Sequence, residues 1–157
     1  MRSGRLVALI MAIALCLPLS AAAERFALAS RAVIATGPGG SVIEYARLVS
    51  NIRMQNAQVQ FSGRCESACT MFLSLPASRT CIMPGASFTF HRAYGASEDF
   101  NQWGTEYMMS GYPVWVRRWI ADRGGLSDRL LRMNYAYAAR FIPPCGQAAR
   151  SLAAARS

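Results

Sequence analysis

Beyond residue 30 the chain alternates between two hydrophobic periods. Arg31-Ala-Val-Ile-Ala-Thr36 is a short β-branched run that stops at Gly37-Pro38-Gly39-Gly40, after which apolar residues return at Val42, Tyr45-Ala46, Val49 and Ile52. That spacing predicts a strand, a tight glycine turn and an amphipathic helix. Gln58-Val59-Gln60-Phe61 alternates as a second strand, Gly63 to Ser67 makes the next turn, and Ala68 to Leu75 reads as a helix stopped by Pro76. Thr80-Cys-Ile-Met83 and Ser87-Phe-Thr-Phe-His91 read as extended segments around a Pro84-Gly85 turn. Arg92 to Gln102 reads as an exposed loop, long enough to form part of a mouth or lid.

The remainder reads as helical. Pro113 suits a first helical position, Val114, Trp115, Trp119 and Ile120 make an apolar stripe, and Gly124-Gly125 ends it; Ser127 then caps a second helix through Leu130-Leu131. Two successive β–turn–α units predict an α/β fold with parallel strands and a C-terminal helical part. In such layers active groups gather at the carboxyl ends of strands, where Gly39-Gly40, Ser67 and His91 all fall.

Residues 1–23 are set apart from this pattern. Arg2 and Arg5 precede an apolar run, Leu6 to Leu19, that is too short to span a membrane and closes on Ser20-Ala21-Ala22-Ala23. This predicts a secretory signal peptide cleaved before Glu24, hence a periplasmic or secreted protein. Residues 24–145 suffice for one domain, and 146–157 form an Ala/Arg/Ser-rich tail expected to be flexible. Four cysteines remain in the mature chain, Cys65, Cys69, Cys81 and Cys145, and an oxidising compartment favours two disulfides over zinc. Three connectivities stay open.

Every basic residue is arginine, and the mature chain carries fifteen of them against eight acids, a net charge of +7. For an exported protein this points away from nucleic acid and toward an anionic envelope surface as partner, or toward a solvated arginine surface with none.

The chemistry-bearing residues are few. Ser67 opens the second predicted helix, and His91, the sole histidine, ends the next apolar run. A serine hydroxyl needs a neighbouring base to become nucleophilic, and a helix start offers backbone N–H groups to a developing oxyanion. The bland reading of Ser67 is an N-cap. No lysine is present to serve as base instead of His91, and neither metal nor cofactor is expected.

Gly37-Pro-Gly-Gly40, then Gly63-Arg-Cys-Glu-Ser67-Ala, then Arg79-Thr-Cys-Ile-Met-Pro84 with His91 seven residues on, resembles the proteolytic subunit of the Clp protease and the wider crotonase-like superfamily, in an exported bacterial branch. The resemblance spans about residues 31–145. It implies Ser67 as nucleophile, His91 as base, and the backbone N–H groups of Gly40 and Ala68 as the oxyanion hole, on a fold shortened at its N-terminus. The family's aspartate position falls near Ala138, which leaves Asp128 or Asp122 to substitute, neither at the motif's own place. The implied function is a serine hydrolase acting on a peptide or ester, with self-assembly into a homo-oligomer. The alternative is a non-catalytic exported binding module on the same scaffold, with a redox protein third because the Cys65-x-x-x-Cys69 spacing is one residue longer than a redox pair requires.

Overall fold

The computed structural model describes residues 32–146. The predicted signal peptide and the tail beyond Gly146 lie outside the described residues. The chain forms a mixed α/β fold around one sheet. Its elements are β1 (Val33–Gly37), α1 (Val42–Met54), β2 (Val59–Glu66), a 3₁₀ helix (Ser67–Ser74), a short 3₁₀ turn (Ala77–Arg79), β3 (Thr80–Ile82), β4 (Ser87–Phe90), α2 (Glu98–Gly111), α3 (Val114–Ala121), β5 (Leu131–Met133) and α4 (Tyr135–Ala138).

Strand β2 is the axis of the sheet. It pairs in parallel with β1 on one edge; on the other edge its first half, Val59 to Phe61, takes β3 and its second half, Arg64 to Glu66, takes β4. The Pro84-Gly85 turn therefore does not fold a hairpin. It steps the chain along one edge of β2. Between Ala35 and Gly37 the β1–β2 register slips, so that Ala35 faces Phe61 but Gly37 faces Cys65. Gly63 sits in that bulge with φ of +67°, and Thr36 Oγ1 donates to the Arg64 carbonyl across it at 3.2 Å. A bulge of this kind lengthens and re-aims one strand. Here it carries β2 past the expected turn at Gly63, out to Glu66.

The core follows from the strand faces. Phe61, Phe88, Phe90, Ile82, Val59 and Met133 are fully buried, with Val116 and Ile120 from α3 packed among them. Each such side chain withdrawn from water contributes on the order of 1.5–3 kcal/mol. Phe90 meets the Tyr112 ring edge-on at 5.6 Å and lies 5.7 Å from Trp119, which fixes α3 against β4. Trp119 is thus a core residue, and Trp115 stacks flat on Phe141 at 4.5 Å.

Three expectations are corrected. The apolar run after Ser67 is a 3₁₀ helix rather than an α-helix; its six residues Ala68 to Leu73 are all buried, so tertiary packing and not an amphipathic stripe determines it. Arg92 to Gln102 is not all loop, because Ser97 caps α2 by accepting from the Phe100 N–H at 3.5 Å, with Glu98 and Asp99 in the first turn where the helix dipole favours them. The second C-terminal helix is absent. Ser127 Oγ accepts from the Arg129 N–H, and Leu131–Met133 runs antiparallel to β4, with Leu131 and Met133 buried and Arg132 exposed.

The four cysteines pair as Cys65–Cys69 and Cys81–Cys145. The second bridge ties β3 to a strap at Pro143–Cys145, where Ile82 N donates to the Pro143 carbonyl and Cys145 N to the Ile82 carbonyl. All four cysteines among the described residues are thus in disulfides.

Candidate functional site

Two glycine turns meet at the carboxyl ends of β1 and β2. After β1 the chain turns through Gly39, whose φ is +86°. A Cβ placed there would lie 2.5 Å from the Glu66 carbonyl oxygen and 2.8 Å from both the Ala68 nitrogen and the Ser67 Cβ. No side chain fits, so the turn after β1 lies directly on the turn after β2. Gly40 and Ser41 follow, and Ser41 begins α1 as its N-cap by accepting from the Glu44 N–H at 3.4 Å.

Ser67 behaves differently. The residue in the N-cap place of its helix is Glu66, with no side-chain capping bond, and Ser67 itself holds φ of +53°. The N-cap reading of Ser67 is therefore overturned. A left-handed conformation costs an L-residue on the order of 1–2 kcal/mol, and strained strand-to-helix turns of this kind expose a nucleophile above a parallel sheet. The conformation is held from behind. Thr70 Oγ1 donates to the Ser67 carbonyl at 2.6 Å and lies 2.5 Å from the Tyr112 hydroxyl. Because the single Thr70 proton goes to Ser67, Tyr112 must donate to Thr70. Burial pushes the Tyr112 phenol well above its ordinary range, so the donor stays protonated.

Ser67 opens into a cleft of about 530 Å³ shared with Gly39, Gly40, Ser41, Val42 and Ile43 on one side and Ala93 to Ala96, Phe100, Asn101, Trp103 and Gly104 on the other. No charged side chain lines it. Tyr94, Phe100 and Trp103 are 74%, 62% and 44% exposed and form an aromatic rim. Gly104 permits the close approach of α2: a Cβ there would stand 3.1 Å from the Ala93 Cβ and 3.5 Å from the Val42 side chain. Asn101 secures the loop, its amide accepting from the Ala96 N–H and donating to the Ala96 carbonyl.

His91 follows β4 directly, as Ser67 follows β2. These strands are hydrogen-bonded neighbours with Glu66 opposite Thr89, and adjacent strands lie about 4.8 Å apart, so the two ends stand side by side. His91 is buried next to the cleft rather than lining it, with its ring 5.3 Å from that of Tyr94. Among the described residues no hydrogen bond joins it to Ser67. Its Nδ1 lies 2.6 Å from the Arg92 carbonyl. A carbonyl only accepts, so Nδ1 carries the proton and Nε2 of the neutral ring is left with the lone pair that a base requires.

Asp128 does not reach the imidazole by any recorded hydrogen bond. It accepts from Arg92 Nε at 2.7 Å while Glu98 accepts from the same guanidinium at 3.3 Å, and the Arg92 N–H donates to the Ser127 carbonyl at 2.9 Å. The charge and hydrogen bond of Asp128, and then Glu98, hold Arg92 above its ordinary pKa. Asp128 thus anchors the residue whose carbonyl orients His91. Asp122 ends α3 as its C-cap, with no recorded side-chain bond to the site. Ala68 is fully buried behind Ser67, with its nitrogen against Gly39.

Thr70, Tyr112 and the Arg92 carbonyl escape a reading of the sequence. A backbone carbonyl carries no residue signature, and a threonine within an apolar run reads as core.

No protein-family model and no curated protein matches the chain. Among solved structures it is similar to a crystal structure of a peptidase from Plasmodium falciparum, at a TM-score of 0.44 and 12% identity over 64% of this chain. The match spans 62% of the length of that peptidase, and at this level the likeness carries no argument about activity.

Proposed function

We propose that this protein is an exported serine hydrolase, a peptidase or esterase, on a shortened Clp protease subunit-like, crotonase-like fold. The observation that supports it most is the conformation of Ser67, left-handed, uncapping and open to a cleft at the carboxyl end of a parallel strand. In this reading Ser67 Oγ attacks the acyl carbonyl while His91 Nε2 takes its proton. The Gly40 and Ala68 N–H groups hold the oxyanion, and the protonated imidazole returns its proton to the leaving group. Water, deprotonated in turn by His91, releases the acyl group. No hydrogen bond joins Ser67 to His91 among the described residues, and catalytic hydrogen bonds commonly tighten only once substrate is bound. The charge-free cleft suits a neutral, apolar acyl group. The paired cysteines fit an oxidising compartment, periplasmic or extracellular, where a further copy of the chain or an anionic envelope surface would be the partners.

Steady-state hydrolysis of a p-nitrophenyl ester and of an unstructured apolar peptide tests the reading. Ser67→Ala, His91→Ala and the double variant should lose activity to the same extent, because the pair acts as one unit. Asp128→Ala, acting only through Arg92, should lose far less. Full activity in Ser67→Ala would reject the mechanism.

A second reading, a non-catalytic binding module, is favoured by the exposed aromatic rim of Tyr94, Phe100 and Trp103. It expects binding of an apolar peptide without turnover, unaffected by Ser67→Ala.

A further inference from the structure

The Cys65–Cys69 bridge encloses three residues, Glu66-Ser67-Ala68, and the central one is the proposed nucleophile. Cys65 is fixed in the middle of the sheet, opposite Gly37 of β1 and Phe88 of β4. Cys69 is fixed in the buried 3₁₀ helix. Their Cα atoms are 5.3 Å apart. Four residue steps of extended chain would cover about 13 Å, so the chain reverses inside the bridge, and the reversal includes Ser67 at φ of +53°.

Such a bridge is poorly suited to raising global stability. In the chain-entropy account a cross-link stabilises according to the length of chain it closes, and this one closes a very short loop, whereas Cys81–Cys145 spans a separation of 64. It is also poorly suited to redox sensing, because Cys65 and Cys69 are 1% and 0% exposed. What it does constrain is the turn bearing Ser67. The carbonyl of that residue is held from the helix side by Thr70, and Gly39 bars it from the β1 side.

We propose that the Cys65–Cys69 disulfide is a positioning element of the acyl-transfer site, closing the strand-to-helix turn so that Ser67 keeps its left-handed conformation toward the cleft. The inference rests on the hydrolase reading. It assigns the two bridges separate tasks: Cys65–Cys69 sets the geometry of one residue, and Cys81–Cys145 ties β3 to the C-terminal strap.

The test compares full-length exported protein with C65A/C69A, with C65V/C69A, which refills the strand position with a β-branched side chain, and with C81A/C145A. The probe is a fluorophosphonate, followed by its second-order labelling rate. Hydrolysis of a p-nitrophenyl ester separates kcat from KM. Both 65/69 variants should label about 10- to 100-fold more slowly and lose kcat with KM little changed, because the cleft walls lie outside the bridge. C81A/C145A, though less stable to heat, should label at close to the parental rate while folded. A parent that labels together with a folded 65/69 variant that labels as fast overturns the positioning role and leaves the hydrolase reading standing. Equal slowing in C81A/C145A, measured below its melting temperature, also overturns it. A parent that takes no probe overturns the hydrolase reading itself, and the positioning role with it.

Discussion

The chain passes twice from a parallel strand through a turn into a helix, and it builds the two passages differently. After β1 the passage obeys local rules: glycines take the left-handed positions, Ser41 caps, Glu44 sits in the first turn, and a 13-residue amphipathic α-helix follows. After β2 a serine takes the left-handed position, no side chain caps, and eight residues of 3₁₀ helix run with their middle six buried. Local propensity explains the first passage. The second is held by contacts from elsewhere: Gly39 beneath it, Thr70 and Tyr112 behind it, and a disulfide across it. A departure from local preference that several tertiary contacts maintain is a marker of function. That contrast directs attention to Ser67 rather than Ser41.

The largest expected effect comes from breaking the contact between the passages. Gly39→Ala places a Cβ on Glu66, Ser67 and Ala68 at a left-handed glycine, and should cost on the order of 2–5 kcal/mol of stability and abolish probe labelling. Urea unfolding read alongside labelling checks both. A labelled, stable Gly39→Ala would mean that the two turns are not interlocked.

The bridges come next. Loop-closure entropy assigns roughly 4 kcal/mol to Cys81–Cys145 and roughly 2 kcal/mol to Cys65–Cys69, so removing the first should lower Tm more. Labelling should rank them in the opposite order.

Tyr112 supplies a pH dependence. Burial raises its pKa in the fold, so above the ordinary phenol value the native state retains a proton that the unfolded chain releases. Its contribution to stability is whole below about pH 10 and is lost above it, by up to ~1.4 kcal/mol per pH unit. The chain has no lysine to titrate in the same window. Tyr112→Phe should flatten that slope in urea melts from about pH 9 to 11, and a slope unchanged by the substitution would remove Tyr112 from the support of Ser67.

The smallest effects distinguish the two serines most sharply. Ser41→Ala should destabilise by about 1 kcal/mol through the lost cap. Ser67→Gly should stabilise by about 1 kcal/mol through relief of the left-handed backbone, while ending activity. A Ser67→Gly variant no more stable than the parent would contradict the strained backbone assigned to Ser67.

What could be read in advance divides along the same line. The first β–turn–α unit is written in glycines, a cap and a helical period, and it folds as read. So do the segments β3, β4 and α3, whose β-branched, aromatic and proline signals are local. The 3₁₀ helix was not legible, because a wholly buried apolar run has no period to distinguish one helix from another. Strand β5 is not legible, because Ser127 ahead of Leu130-Leu131 reads as the cap of a helix, whereas Leu131 and Met133 turn inward around an exposed Arg132. In the site, Ser67 and His91 were visible as residue types at strand ends. The Arg92 carbonyl that orients the imidazole has no residue type to see, and Asp128 was legible as an acid near the site but not as a partner of Arg92.

Labelling of the protein with a fluorophosphonate, followed by peptide mapping, bears most directly on the claim that Ser67 is an activated nucleophile. The account predicts a single adduct on Ser67, lost in Ser67→Ala and nearly lost in His91→Ala. An unlabelled folded protein, or an adduct on another serine with Ser67 unmodified, would contradict it.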